Sequence, residues 1–72
     1  MNETVKENIE RLGEIIATMS MINIGKELKD ELDTIINYLK VMRVIETASD
    51  GRGFYFTNES YKNIFLESRD NF

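Results

Sequence analysis

The side chains of this sequence that could carry out catalysis are carboxylates, because the chain contains no histidine and no cysteine. The commonest general base, the thiol nucleophile and the usual zinc ligands are therefore missing. The densest acidic cluster is Asp30, Glu31 and Asp33, whose oxygens are ligands that a divalent cation prefers. The same residues suit the first turn of a helix, where acids cap the chain and complement the helix dipole. We favour that structural interpretation, and we predict neither an enzyme nor a metal site nor a cofactor.

A helix followed by a β-hairpin is predicted between residues 31 and 57. One face of the helix carries apolar residues at the 3.6-residue period, namely Leu32, Ile35, Ile36 and Leu39. Residues 44–48 and 54–57 are rich in the β-branched and aromatic residues that favour strands. Between them, residues 50–53 (DGRG) supply the glycines that a tight turn requires. We therefore expect an amphipathic helix that leads into a hairpin with an arginine at its tip.

This order of elements resembles the second half of a winged helix-turn-helix domain of the MarR-like and PadR-like kind. In those families the recognition helix ends in a leucine, a short polar step and a Gly-Leu/Ile-Glu segment. A wing with arginine and glycine follows, and then a strand that closes on threonine. The segments LKVMRVIE (residues 39–46) and RGFYFT (residues 52–57) stand at the matching places. In this chain Arg43 replaces the usual glycine, and the segment before the helix is several residues shorter.

The resemblance implies an α+β fold: a single small winged helix-turn-helix domain over residues 1–72, with three helices, a β-hairpin wing and a C-terminal helix. In this arrangement residues 19–24 form a short strand, and residues 25–29 form a brief second helix that is anchored inward by Ile24 and Leu28. Asp30 is a suitable N-cap for the third helix. We therefore expect two separate helices, divided just before Asp30.

The first and last helices have recognisable start signals. Asn2 or Thr4 can cap the first helix, and Thr4 with Glu7 has the form of a capping box. Thr57 or Asn58 can cap the last helix. The apolar patterns of all these elements predict a core formed by Ile9, Leu12, Ile16, Ile24, Leu28, Leu32, Ile35, Ile36, Leu39, Val44, Phe54, Phe56 and Ile64.

In winged-helix proteins the recognition helix and the wing contact DNA, so the resemblance assigns the third helix and the hairpin to that role. The candidate DNA-binding residues on these elements and on the short helix before them are Lys26, Lys29, Thr34, Asn37, Lys40 and Arg52. Asparagine can read adenine and threonine can contact a thymine methyl group, whereas lysines hold phosphates. Arg52 at the wing tip is expected in or near a minor groove. The acids at residues 30–33 oppose this function, because contacts usually come from the first turn of a recognition helix.

The charge of the chain argues against a simple nucleic-acid binder, since its formal net charge is −4 and its pI is about 4.7. The distribution of charge matters more than the sum. Residues 1–20 carry two positive and four negative charges, whereas residues 49–57 carry one of each. The hairpin is therefore neutral, and the surplus acid lies mostly on the first helix, which need not face DNA in this fold.

The composition predicts a soluble protein of the cytoplasm. Hydrophobic residues make up 42% of the chain and charged residues 31%, which suits a globular protein rather than a disordered one. The sequence contains no apolar run of membrane-spanning length, and no signal-peptide pattern opens it. We therefore expect a cytoplasmic location.

The small size of the chain predicts a partner subunit. A chain of 72 residues buries only about 60% of its unfolded surface, and this one lacks the residues for disulfides or a Cys/His metal site. The first helix carries an apolar stripe that either packs inside the domain or gives its outer edge to a second copy. We predict a homodimer whose interface includes Val5, Ile9, Met19 and Met21, because methionine offers adaptable apolar surface.

Two functions are compatible with these features. The first is a homodimer that binds double-stranded DNA at repeated sites, either as a transcriptional repressor or as an adaptor similar to the small centromere-binding proteins of tubulin-type plasmid and phage partition systems. The second is an acidic winged-helix inhibitor of phage type, which occupies a basic nucleic-acid-binding surface on a protein partner. Repeated sites beside the gene would favour the first function, and association with a strongly basic protein would favour the second.

Overall fold

The computed structural model of the protein describes residues 2–71 and shows a small α+β domain with an antiparallel hairpin. The elements in chain order are α1 (Glu3–Met19), α2 (Lys26–Val41), β1 (Ile45–Thr47), β2 (Phe54–Phe56) and α3 (Glu59–Asp70). The predicted α+β class, the hairpin and the last helix are confirmed. Within residues 2–71, none of the helices is both long enough and apolar enough to cross a membrane.

Helix α1 begins where its capping signal predicts. The side chain of Asn2 accepts a hydrogen bond of 2.8 Å from the backbone N–H of Thr4. This bond satisfies one of the donors that the first turn of a helix leaves without a partner. The apolar stripe of the helix faces the rest of the chain, and Ile9 and Leu12 are fully buried.

The strand predicted over residues 19–24 is not formed. Met19 belongs to the last turn of α1, and the N–H groups of Met21 and Ile22 both donate to the carbonyl oxygen of Thr18 at 3.0 Å. A turn at the end of α1 therefore uses the backbone groups that a β-ladder would need. The resemblance to winged-helix domains implies a strand here, and that prediction is wrong.

A second correction concerns α2, which is one continuous helix where the sequence predicts two helices divided before Asp30. Gly25 is its N-cap residue and makes no side-chain capping bond. Leu28 and Leu32 belong to one apolar stripe that passes Asp30 without a change of phase. No glycine or proline interrupts residues 26–41, so nothing stops the helix at the acidic cluster.

The hairpin follows the turn chemistry that its sequence predicts. Its register pairs Ile45 with Phe56, Glu46 with Tyr55 and Thr47 with Phe54. Both strands lie inside the predicted ranges 44–48 and 54–57 and are slightly shorter. Gly51 has a φ of 72°, which glycine adopts without steric cost, and Asp50 Oδ1 accepts a hydrogen bond of 3.0 Å from the N–H of Arg52.

The core lies where the three helices and the hairpin meet. The predicted core residues that are buried are Ile9, Leu12, Leu32, Ile35, Leu39 and Val44. Those that are partly buried against them are Ile16, Leu28, Ile36, Phe54, Phe56 and Ile64. Ile24 is half-buried outside this cluster. Ile15 on α1 is fully buried, and Ile45 and Phe65 also belong to the core, so the prediction missed these three residues.

Helices α1 and α3 approach each other closely at Gly13. A Cβ atom at this position would lie 2.9 Å from the Cβ atom of Ser68 and 3.0 Å from the carbonyl oxygen of Phe65. Only glycine permits so short a separation of the two helices. Ser68 Oγ also donates a hydrogen bond of 2.6 Å to the carbonyl oxygen of Glu10. We call these two helices the α1–α3 pair.

Candidate nucleic-acid interface

The predicted DNA-binding residues of α2 are all exposed: Lys26, Lys29, Thr34, Asn37 and Lys40. At 3.6 residues per turn they fall within an arc of about 140° on the side of the helix away from the buried leucines. Arg52, the remaining predicted residue, is exposed in the hairpin turn. The structure therefore gathers the helical candidates on one side of α2 and puts Arg52 on the next element along the chain.

The two halves of α2 differ in charge. Lys26 and Lys29 in the N-terminal half alternate with exposed acids, among them Asp30 and Asp33. The hydroxyl of Thr34 is engaged within the helix, because it donates a hydrogen bond of 3.0 Å to the carbonyl oxygen of Asp30. From Thr34 to its end the helix contains no acid. A phosphate that approaches α2 therefore meets less repulsion at the C-terminal half than near residues 30–33.

The C-terminal end of α2 is closed by Arg43 in a left-handed conformation, with a φ of 61°. The N–H of Arg43 donates to the carbonyl oxygen of Lys40 at 3.0 Å, and the N–H of Val44 donates to that of Leu39 at 2.9 Å. These bonds form a Schellman motif, and burial of Leu39 and Val44 supplies its apolar contact. An L-residue in this conformation costs about 1–2 kcal/mol. Arg43 thus takes the backbone conformation for which glycine is the usual residue.

The hairpin is tied to this end of α2 through Thr57, the residue after β2. The hydroxyl of Thr57 donates a hydrogen bond of 2.7 Å to the carbonyl oxygen of Arg43, and its N–H donates one of 3.0 Å to that of Val44. On the other side of the hairpin, the ring centroids of Phe56 and Phe65 are 5.2 Å apart. Contacts to α2 and to α3 therefore hold the hairpin in place between its neighbours.

Glu31 of the acidic cluster joins α1 to α2. Arg11 Nε and Nη2 donate to its two carboxylate oxygens at 2.7 and 3.0 Å, and Nη1 donates to Glu14 at 3.0 Å. The hydrogen bonds from Arg11 lower the pKa of Glu31, and the hydrogen bonds to Glu31 and Glu14 raise the pKa of Arg11. Among residues 2–71, no group of three or more acidic side chains is arranged to hold a metal ion. The cluster contributes a salt bridge between helices.

The four arginines differ in whether they have acidic partners. Arg11 is held by two carboxylates, as described, and Arg69 on α3 pairs with Asp70 at 3.3 Å. Neither Arg43 nor Arg52 makes an ion pair with any residue between 2 and 71. The guanidinium groups near the end of α2 and in the hairpin turn are therefore available to an anion from outside the chain.

Residues 34–57, which we call the helix–hairpin unit, carry three cations and two anions. Both anions accept hydrogen bonds: Glu46 from the hydroxyl of Tyr55 at 2.6 Å, and Asp50 from the N–H of Arg52 at 3.0 Å. The hydrogen bond to Glu46 raises the pKa of the Tyr55 hydroxyl. Since the whole chain carries −4 and this unit +1, the remainder carries −5. The helix–hairpin unit is thus slightly positive in an acidic protein.

The predicted dimer residues fall into two classes. Val5 and Ile9 are 4% and 0% exposed because they are covered by the core of their own chain, so they have no surface left for a partner. That part of the predicted interface does not agree with the structure. Met19 and Met21 are 44% and 66% exposed, and Ile22 beside them is 63% exposed. Of the predicted dimer residues, only the two methionines leave apolar surface open to a second copy, and they lie at the end of α1 and in the turn that follows it.

A groove between the helices of the α1–α3 pair has a mainly charged lining of Lys6, Glu7, Glu10, Arg11, Glu14 and Glu67. Four of these side chains are acidic and two are basic, and the guanidinium of Arg11 is already bonded to Glu14 and Glu31. The surface on this side of the molecule is therefore negative, in contrast to the helix–hairpin unit.

Arg43 is a candidate that the sequence reasoning did not include among the DNA-binding residues. The available signal was its position, where the resembling families have a glycine.

Comparisons with protein-family models, with curated proteins and with solved structures find no match to this chain. The structure shows three helices and a β-hairpin. Membership of the winged helix-turn-helix regulators stays a prediction from the sequence.

Proposed function

We propose that the protein is a small DNA-binding protein of winged-helix type, which contacts double-stranded DNA through the helix–hairpin unit. The observation that supports this function is that residues 34–57 carry a net charge of +1 in a chain of −4, because they contain few acids, and that their three cations are exposed. Asn37 and Lys40 are exposed on the C-terminal half of α2, and Arg52 is exposed in the hairpin turn. Binding to DNA rests on cations of this kind, which neutralise phosphates.

In this proposal α2 acts as the recognition helix, and α1 is the helix that precedes it. A helix about 10–12 Å in diameter fits the major groove of DNA, which is about 12 Å wide. Asn37 reads a base, since its amide can bond to both N6 and N7 of adenine. Lys40 holds a phosphate, and Arg52 lies in or beside the adjacent minor groove.

A single copy should bind DNA weakly, because the acids around Asp30 and Asp33 keep the N-terminal half of α2 away from phosphates. We therefore propose that two copies associate through the exposed turn of Met19, Met21 and Ile22. Linked copies on repeated sites gain effective concentration, so weak individual contacts suffice. This behaviour suits a transcriptional repressor or a partition adaptor that binds tandem sites.

A titration against the duplex DNA that flanks the gene, at about 50 and 200 mM salt, tests this function. We expect binding at the lower salt concentration that weakens at the higher one. Arg52→Ala should reduce the slope of log K against log salt by about one. Lys62→Ala removes one positive charge from the exposed surface of α3 and should leave the slope unchanged. Absence of binding at the lower salt concentration would rule out the proposed function.

A second candidate function is supported by the negative groove of the α1–α3 pair. Such a surface is complementary to a basic nucleic-acid channel on another protein, and the chain would then act as an inhibitor. Calorimetric titration against a strongly basic nucleic-acid-binding protein, with duplex DNA as competitor, tests this alternative. Glu7→Lys in the groove should then abolish the association, whereas Arg52→Ala should have no effect on it.

A further inference from the structure

Arg43 is the one residue other than glycine with a positive φ among residues 2–71. Its side chain is exposed and makes no ion pair with the residues of that range. Glycine would adopt the same conformation without steric cost. The fold therefore strains this residue, and within residues 2–71 no ion pair of its guanidinium compensates for the strain.

The dipole of α2 does not account for an arginine at this position. A cation near the C-terminus of a helix is stabilising, but the effect is smaller than the cost of a left-handed backbone and is screened at an exposed site. Lys40 already places a cation in the last turn of the helix. The left-handed conformation closes α2 but does not require an arginine side chain, and a residue other than glycine held in this conformation is a candidate for function.

We propose that Arg43 binds a phosphate of the DNA backbone at the junction of α2 and the hairpin, an inference that rests on the function proposed above. Its backbone is fixed from two sides, because its N–H donates to Lys40 and its carbonyl oxygen accepts from Thr57. The fixed backbone sets the position from which the side chain extends, and the planar guanidinium can donate two hydrogen bonds to one phosphate. In the chain Arg43 stands between Lys40 and Arg52, so it connects the helix contacts with those of the hairpin.

Three substitutions at this residue test the inference, with DNA binding and thermal unfolding measured on the same samples. Arg43→Gly and Arg43→Asn remove the charge and tolerate the left-handed conformation. Both should weaken binding to the flanking duplex about ten-fold and reduce the salt slope by about one, with Tm unchanged or raised. Arg43→Lys keeps the charge but loses the fork, so it should preserve the slope and lose less affinity. Arg69→Ala removes the same charge from α3 and should leave binding unchanged.

The two proposals fail in different ways in this experiment. If the unaltered protein binds the duplex and Arg43→Gly binds it with equal affinity and slope, Arg43 is not a phosphate contact, while the proposed function stands. A Tm lowered by several degrees in both Arg43→Gly and Arg43→Asn would assign Arg43 a structural role and also overturn the inference. If the unaltered protein does not bind the duplex, the proposed function and the role of Arg43 are overturned together.

Discussion

The α1–α3 pair and the helix–hairpin unit differ in how their arginines are paired. In the α1–α3 pair the arginines of both helices have acidic partners, and Ser68 also donates to the backbone of Glu10. In the helix–hairpin unit the two arginines have no acidic partner among residues 2–71. The difference separates arginines that are already bonded to a carboxylate from arginines that are not.

The two regions also differ in how they are stabilised. The α1–α3 pair has a close backbone contact at Gly13 over two long helices. The hairpin has two strands of three residues, and a hairpin of this kind is at best marginally stable alone. It depends on its contacts with α2 through Thr57 and with α3 through Phe65. Substitutions in the two regions should therefore affect different measurements.

The largest effect is expected at Phe65, which joins the regions. Its ring centroid lies 5.2 Å from that of Phe56 and 6.4 Å from that of Phe54, and its side chain is buried. Phe65→Ala should lower the free energy of unfolding by about 3–5 kcal/mol, as measured by urea denaturation. Phe65→Leu is a milder variant that keeps a folded state to measure.

The matched control is Tyr55→Ala on the exposed side of the hairpin, where the loss of stability should be much smaller. If Tyr55→Ala and Phe65→Ala cost the same, the hairpin is not held by its contact with α3, and the comparison of the two regions fails.

The next effect is expected on binding at Asn37. Asn37→Ala should cost about 1–3 kcal/mol of affinity for the preferred site and much less for an unrelated duplex, because only the base contact is lost. Fluorescence anisotropy at constant salt measures the affinity for each of the two duplexes. Stability should not change, since the side chain is exposed. Asn63→Ala on the exposed surface of α3 is the control. Equal losses on the two duplexes would show that Asn37 does not read a base.

Gly13→Ala tests the close contact of the α1–α3 pair. Alanine favours a helix by about 1 kcal/mol, but an extra carbon in a filled contact costs about 1–3 kcal/mol. The new Cβ would lie 3.0 Å from two backbone atoms of α3, which move only if the helix moves. We therefore expect a net loss of stability of about 1 kcal/mol. The control is Gly53→Ala, which should not be destabilising because a Cβ there meets nothing within 4 Å. A gain of stability in Gly13→Ala would show that the α1–α3 pair is less tightly packed at this position.

The smallest effect is expected at the salt bridge of Arg11 and Glu31, whose side chains are 42% and 40% exposed. Because hydrogen bonds from Arg11 lower the pKa of Glu31, the pair stabilises the fold above the ordinary value of 4.5, and this contribution is lost as the pH falls through the lowered pKa. Glu31→Gln should therefore cost about 0.5–1 kcal/mol at pH 7 and less at pH of about 3. Urea denaturation at both pH values measures this, and Glu27→Gln is the exposed control. If Glu31→Gln lowers the free energy of unfolding as much at the acidic pH as at pH 7, the salt bridge is not the source of the effect.

Signals that act between neighbouring residues were sufficient to predict several elements. Asn2 caps α1, and Asn58 caps α3 by accepting a hydrogen bond of 2.7 Å from the N–H of Ser60. Gly51 adopts the positive φ that the hairpin turn requires. The exposure of Asn37 and Lys40 also followed from the period of α2 alone. These features depend on backbone bonds and side-chain spacing within a few residues, which the sequence by itself determines.

Tertiary structure decided the features that depend on distant partners. The apolar face of α1 is broad, and of its two neighbouring isoleucines Ile15 is 1% exposed whereas Ile16 is only partly buried against the core. The pairing of Arg11 with Glu31 joins residues 20 positions apart. The packing of whole helices determines which acid forms a salt bridge and which arginine has no acidic partner among residues 2–71. Local periodicity defines a face, but only the elements packed against that face determine which of its side chains lose their contact with water.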